Sequence, residues 1–245
     1  MEGIGQGPKV AFTIPLFGGI DITETIVIGW GIIVAVWLLC LFLTKDLKRV
    51  PEKKRQVIAE MFVKFVNDTV ETTMGKQWMR YAPYIGTLLV YAILGALVSL
   101  LGLRSMTADF NVTLTWALMT FVLITYHKIK TNGIGGYLKS FTQPIAVLTP
   151  LNVLSEVATP ISMAFRMFGN ISGGAVITTL IYGGLSALSQ ALHISFTIGV
   201  FTIDLAQIFT PAVLSIYFDL FSGCIQAYIF SMLTMVYVSN AAEKD

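Results

Sequence analysis

The chain has 245 residues, 55% of them hydrophobic and only 12% charged, with a mean hydropathy of +0.76 and a formal net charge of +2. Soluble domains carry about twice that charged fraction, so a water-soluble enzyme is excluded, and apolar runs that are long rather than alternating exclude a membrane β-barrel. What remains is an all-α integral membrane protein in which the placement of charge says more than its sum.

Residues 1–24 form a short lead with Asp21 and Glu24 and without the basic stretch and small-residue cleavage site of a removable signal peptide, so none is expected. The uncharged run 25–44 is long enough to cross roughly 30 Å of hydrocarbon. Lys45-Asp-Leu-Lys-Arg-Val-Pro-Glu-Lys-Lys-Arg55 follows at once. By the positive-inside rule it marks that end as cytoplasmic and the N-terminus as outside. Over 52–78, Val57, Met61, Phe62, Phe65 and Val66 recur at spacings of three and four, with Glu60, Lys64, Asp68 and Glu71 between them. This predicts an amphipathic helix on the cytoplasmic side, its apolar face resting on lipid or on other protein. A second span, 84–103, runs outward, with Arg104 as the only base beyond it. After a loop over 105–111, the third span returns over 111–127, and Lys128, Lys130, Gly133, Gly135, Gly136 and Lys139 read as a cytoplasmic turn.

The fourth and fifth spans, 145–183 and 197–239, are too long to stand upright and must tilt, bend or break, with Pro150, Pro160 and Pro211 as punctuation. An outer loop with His193 joins them, and a polar tail ends inside after the fifth crossing. Of the sixteen Lys and Arg, Lys9 and Arg104 fall outside and Arg166 falls within the membrane; the other thirteen lie on the cytoplasmic side. Cys40 and Cys224 lack paired spacing and read as buried free thiols. His127 and His193 lack a second ligand at metal spacing, so no metal or cofactor site is expected.

Arg166 stands in the middle of an apolar helix with no acid near enough in sequence to neutralise it. A guanidinium keeps its proton at any accessible pH, and at bilayer depth it costs about 2.5–3.5 kcal/mol on insertion scales. Such a charge must meet a partner, water or an ion path, and the partner expected is a carboxylate on another subunit. At about 100° per residue, Asn152, Ser155, Thr159, Ser162, Arg166, Asn170 and Gly173 share one face of the fourth span. Asp204, Gln207, Pro211, Ser215, Asp219, Ser222 and Gln226 fall within about a third of the circumference of the fifth. Two polar stripes facing each other can line an aqueous path; for the Ser, Thr and Gly, interhelical hydrogen bonds and close packing account for them equally well. For Arg166, Asp219 and Asp204 the functional reading is stronger, since intramembrane charges default to function. Gly169, Gly173 and Gly174 would let another helix approach and slide past.

Other classes fit less well. A voltage sensor repeats its arginines at every third position, a secondary transporter shows two related halves, and a self-sufficient channel shows a selectivity ring; none of these patterns is present. An autonomous channel or transporter is the runner-up, and a purely structural anchor for a stalk leaves Arg166 unexplained. No phosphate loop, metal cluster or nucleophile with its base gives the chain chemistry of its own, and no nucleic-acid partner is expected.

At Pro160-Ile-Ser-Met-Ala-Phe-Arg166-Met-Phe-Gly-Asn170 and at Gln226-Ala-Tyr-Ile-Phe-Ser-Met-Leu-Thr-Met-Val-Tyr237 the sequence resembles subunit a of bacterial F-type ATP synthases. The resemblance covers most of the chain, least so the first 20 residues and the loop 105–111. It implies five transmembrane helices plus one amphipathic helix on the cytoplasmic side, the last two spans tilted along a ring of c subunits. It implies a peripheral-stalk b subunit and the rest of the F0F1 complex as further partners, and a plasma membrane as the location. It implies two half-channels, with Arg166 as the essential arginine between them, facing the ring carboxylate. Asn170 and Gln226 match positions that line the inlet or hydrogen-bond near the arginine. The family often places a Glu or His five residues after the asparagine; here Ala175 stands there and relays nothing. Asp219, seven residues before Gln226, is therefore expected to be the acidic relay of the outer half-channel, on the face of Gln226. Asp204 is expected at its mouth, and Ser215 and Ser222 along it. Glu156 reads either as part of the cytoplasmic exit or as a surface carboxylate at a helix start. The choice between H⁺ and Na⁺ rests with the ring in this family.

Overall fold

Inside lipid every backbone N–H and C=O must be satisfied within the segment, so long apolar runs become helices. A computed structural model describes residues 10–15, 20–48, 53–143, 145–192, 195–198, 201–204, 214 and 216–242. A hairpin of β1 (Val10–Ile14) and β2 (Ile20–Thr23) leads into α1 (Glu24–Thr44). Next come α2 (Lys54–Met74), α3 (Ala82–Leu97) with 3-10 turns before and after it, and α4 (Phe110–Ser140). Then follow α5 (Thr149–Leu192) and the hairpin of β3 (Ser195–Ile198) and β4 (Phe201–Asp204). A π-helical segment, Ile216–Ser222, runs into α6 (Gly223–Asn240). Four helical stretches, Glu24–Thr44, Lys76–Leu101, Phe110–Ser140 and Ile216–Asn240, are long and apolar enough to cross a membrane.

Two apolar cores hold the bundle. One joins Ile32, Ala92, Trp116, Met163, Met167 and Phe230, from α1, α3, α4, α5 and α6. The other joins Val66, Val70 and Met74 of α2 to Trp78, Ile85, Ile124, Met235 and Val238. Thus α2 packs one apolar flank on the protein while Val57, Ile58, Met61, Phe62 and Phe65 stay exposed on another. Protein contact accounts for one flank of the helix and leaves the other uncovered. The start of α1 is tied to the start of α4 by a buried carboxylate. Asp109 caps α4, its Oδ1 accepting from the Asn111 N–H at 3.0 Å and its Oδ2 from the Thr25 hydroxyl at 2.8 Å. Asp109 is 5% exposed and Thr25 fully buried, so this bond is shielded from water.

Several boundaries depart from the sequence reading. The helix does not stop with the apolar run at residue 127: α4 runs on through Lys128, Lys130 and Lys139 and bends at Gly133, whose φ of 71° and ψ of 170° are non-helical. Glycine adopts that positive φ without a Cβ clash, so the helix turns a corner where a cytoplasmic turn was expected. The fourth span does not end at 183, since α5 continues to Leu192. Its 44 residues measure about 66 Å at 1.5 Å per residue, roughly twice the hydrocarbon thickness. Pro160 lies inside it, with the helix continuous on either side. The fifth span does not begin at 197. Ser195-Phe-Thr-Ile198 and Phe201-Thr-Ile-Asp204 alternate polar and β-branched or aromatic residues, a period-2 pattern that pairs as a hairpin. Cys40 is exposed rather than buried, and Cys224 is half-buried. His127 shares a 2.6 Å hydrogen bond with the Tyr81 hydroxyl and sits edge-on to Trp78. His193, Gln207 and Pro211 lie outside the described residues.

Asp109→Ala removes the α4 cap and leaves the Thr25 hydroxyl without its acceptor, so it is expected to destabilise the subunit by about 1–3 kcal/mol. Asp109→Asn, whose carbonyl oxygen still accepts from the Asn111 N–H while its NH₂ donates to the Thr25 hydroxyl, is expected to cost less. Thermal unfolding of the two variants in detergent checks the order.

Candidate functional site

The buried edge of α5 is Met163, Ala164 and Met167, which fixes the opposite edge as the outward one. Arg166 and Ser162 lie there, exposed. Among the described residues Arg166 has no carboxylate partner. Its carbonyl oxygen accepts from the Asn170 Nδ2 at 2.9 Å, one turn on, so the asparagine is tied to the backbone of its own helix rather than to the guanidinium. A permanent cation therefore sits on the outer face of an apolar helix, with no carboxylate on its donors among the described residues.

The three glycines separate into two kinds. A Cβ at Gly169 or Gly173 would meet nothing within 4 Å, so both remain open to an approaching surface. Gly174 turns inward instead: a Cβ there would come within 2.8 Å of the Phe218 ring. Its smallness serves the contact between α5 and the π-helical segment within this chain, not the approach of a partner. That contact packs α5 against the π-helical segment. Gln226 and Ser222 are half-buried on the second polar stripe.

The remaining expectations on that stripe rest on a register that the chain does not keep. A π-helix closes i→i+5 bonds, so each residue advances by less than the α-helical 100°. Ile216–Ser222 is π-helical, so a projection at a uniform 100° per residue does not hold across it. Asp204 ends β4, paired across the hairpin with Ser195, so it is not on the helix that carries Gln226. Ser215 lies outside the described residues.

At the other end of α5 a second polar centre forms. The Lys128 ammonium of α4 donates to Glu156 Oε2 at 2.6 Å, with side-chain exposures of 31% and 16%. The other oxygen, Oε1, is buried and has no hydrogen-bond partner among the described residues. Two cavities meet at this pair. The larger, about 420 Å³, is lined by Asn132, Tyr137, Asn152 and Ser155 among others. The smaller, about 220 Å³, is lined by Phe121, Ile124 and Tyr237 and lies on the Arg166 side. Lys128, Glu156, Thr159 and Asn240 border both. Glu156 is therefore an interior carboxylate and not a solvated charge at a helix start. Lys128 escaped the sequence reading because it was counted only as one base in a turn. The usable signal was its spacing of four from Asn132, which continues a polar face down α4.

With these positions fixed, the comparisons become informative. The sequence model described as ATP synthase A chain matches residues 26–239. The chain belongs to the ATP synthase A chain family. It is 29% identical to the ATP synthase subunit a, sodium ion specific, of Propionigenium modestum, over 96% of this chain and 85% of that protein. It is 32% identical to the ATP synthase subunit a of Moorella thermoacetica, over 91% of this chain and 92% of that one. For the subunit a of Desulforamulus reducens the identity is 31%, over 91% and 80%. Membership makes the chain a component of the membrane F0 sector of ATP synthase, serving ion transport in ATP synthesis, and not an enzyme alone. Its apolar helices and its bacterial relatives make it a bacterial membrane protein.

The two kinds of glycine predict opposite outcomes. Gly174→Ala forces the Phe218 ring to shift and is expected to destabilise by about 1–3 kcal/mol. Gly169→Ala meets no atom and is expected to stabilise the isolated subunit by about 0.5–1 kcal/mol through helix propensity. Thermal unfolding of each variant as the free subunit checks the signs.

Proposed function

We propose that this chain is the proton-translocating stator of a rotary ATP synthase, working against a ring of c subunits, with Arg166 as the barrier between two half-channels. The observation that carries the reading is an exposed, carboxylate-free arginine on the outward edge of an apolar helix, flanked by the open Gly169 and Gly173. A cation so placed lacks a counter-charge among the described residues, and a ring of carboxylates passing at that depth supplies it.

The physics of the step is short. A cation beside a carboxylate favours its charged form, typically by 1–3 pKa units, so a protonated ring site arriving at Arg166 gives up its proton. The same charge repels a bare proton crossing directly from one path to the other. Flow is thereby forced around the ring, and each charge moved across 100 mV contributes about 2.3 kcal/mol. In this reading Asn170, Gln226 and Ser222 line the inlet, with Asp219 as its acidic relay, Ser215 beside it and Asp204 at its mouth. Glu156 belongs to the exit. The overlong α5 supplies a fifth crossing by tilting along the ring, and α2 lies on the cytoplasmic surface beside the b subunit's stalk. The N-terminus is outside and the C-terminus inside the plasma membrane, which is the orientation that keeps the basic cluster 45–55 in the cytoplasm.

Arg166→Ala is expected to abolish ATP-driven acidification of inverted membrane vesicles, with the complex assembled and ATP hydrolysis retained. Passive proton leak should rise. Unchanged pumping would reduce Arg166 to a structural charge and end this reading.

A further inference from the structure

The ion pair between α4 and α5 has a geometry that a stabilising salt bridge does not need. It stands as a wall between two cavities, one polar and one lined by Phe121, Ile124 and Tyr237. The lysine takes a single carboxylate oxygen at 2.6 Å, and the other oxygen is left buried with no partner among the described residues. Leaving a buried acceptor unpaired is costly, commonly 1–3 kcal/mol, and native structures keep such groups few. The same side chain reaches its place from a helix that bends five residues later at Gly133, so its register is independent of the segment beyond the bend.

We propose that Lys128 is a positioning residue: by holding Glu156 Oε2 it presents Oε1 as the single proton acceptor between the two cavities and closes every other way through the wall. The inference deepens the proposed function and rests on it. A proton arriving from the Arg166 side forms an O–H bond at Oε1, which neutralises the carboxylate. That bond then breaks towards a water molecule in the larger cavity, and the carboxylate is restored, still held by the Lys128 ammonium. Charge and protons balance without any further reactant. Tyr137 on α4 and Tyr237 on α6 are the other titratable groups bordering this wall; the Tyr137 hydroxyl is near enough to the Glu156 carboxylate to interact with it, but Oε1 has no hydrogen bond of good geometry from either.

The role is distinguishable from plain structural support. ATP-driven acidification would be measured in inverted vesicles in H₂O and in D₂O, for the whole complex. Lys128→Gln should slow it by about tenfold or more, since a positioned proton acceptor is commonly worth 10²–10⁴-fold, and should raise the solvent isotope effect because transfer at Glu156 becomes limiting. Lys128→Arg, which keeps a donor on Oε2, should recover most of the rate and the normal isotope effect. In a Glu156→Gln background, Lys128→Gln should add nothing. A wild-type rate in Lys128→Gln, or an equal slowing with an unchanged isotope effect, overturns the proposal. If Lys128→Gln does not assemble, Glu156→Asp decides: it keeps both charges but withdraws the carboxylate, and it must show the same slowing and the same isotope effect. Arg166→Ala run in parallel separates the two claims. Pumping there would sink the proposed function itself, whereas loss there with normal pumping in Lys128→Gln sinks only the role of Lys128.

Discussion

The packing of this subunit holds one guanidinium, without a carboxylate partner among the described residues, at the outward edge of an apolar helix. A charge in that position is tolerated only where something outside the chain answers it, so the rest of the fold can be read as the means of presenting it. The buried edge of α5, Met163, Ala164 and Met167, locks the helix rotation against Trp116 and Phe230. Asn170 bonds the backbone of the same helix instead of the arginine side chain. The helix that carries the cation is thus fixed in rotation by packing, and the guanidinium has no carboxylate partner among the described residues, which suits the proposed electrostatic barrier.

The helix that carries Arg166 and the segment that leads to Gln226 are held together by a contact between apolar atoms. Gly174 lets the Phe218 ring reach α5, and Gly223 on the next segment lies equally close to Ala96. Polar paths in a membrane protein need such dry contacts beside them. Helices separated by water alone would drift, whereas close van der Waals packing sets their spacing. Farther along α5, the Lys128–Glu156 pair does by charge what Phe218 does by shape.

Much of this was legible in the sequence because hydrophobicity and charge act at long range along a helix. Arg166 between apolar neighbours, the run 25–44, and the amphipathic pattern of α2 each announce themselves without any contact map. What the sequence hid was local and conformational. The bend at Gly133 depends on one φ angle, and glycines at 135 and 136 look no different on paper. The π-helical register around Asp219 left no compositional trace, yet it undoes a projection that assumed a uniform 100° per residue. The hairpin at 195–204 carried a period-2 signal that was overridden by its apolar total. Lys128 and Glu156 are 28 residues apart, and nothing short of the fold brings them within 2.6 Å.

The two apolar flanks of α2 bear on mechanics as well as on packing. Val66, Val70 and Met74 grip the bundle while Val57, Met61 and Phe65 face away from it. Lifting or rolling such a helix strips one flank or the other, and each square ångström newly wetted costs about 25 cal/mol. That cost resists lifting and rolling and so holds the helix at one depth and one tilt, as an outrigger steadies a hull against capsizing while leaving it free to turn.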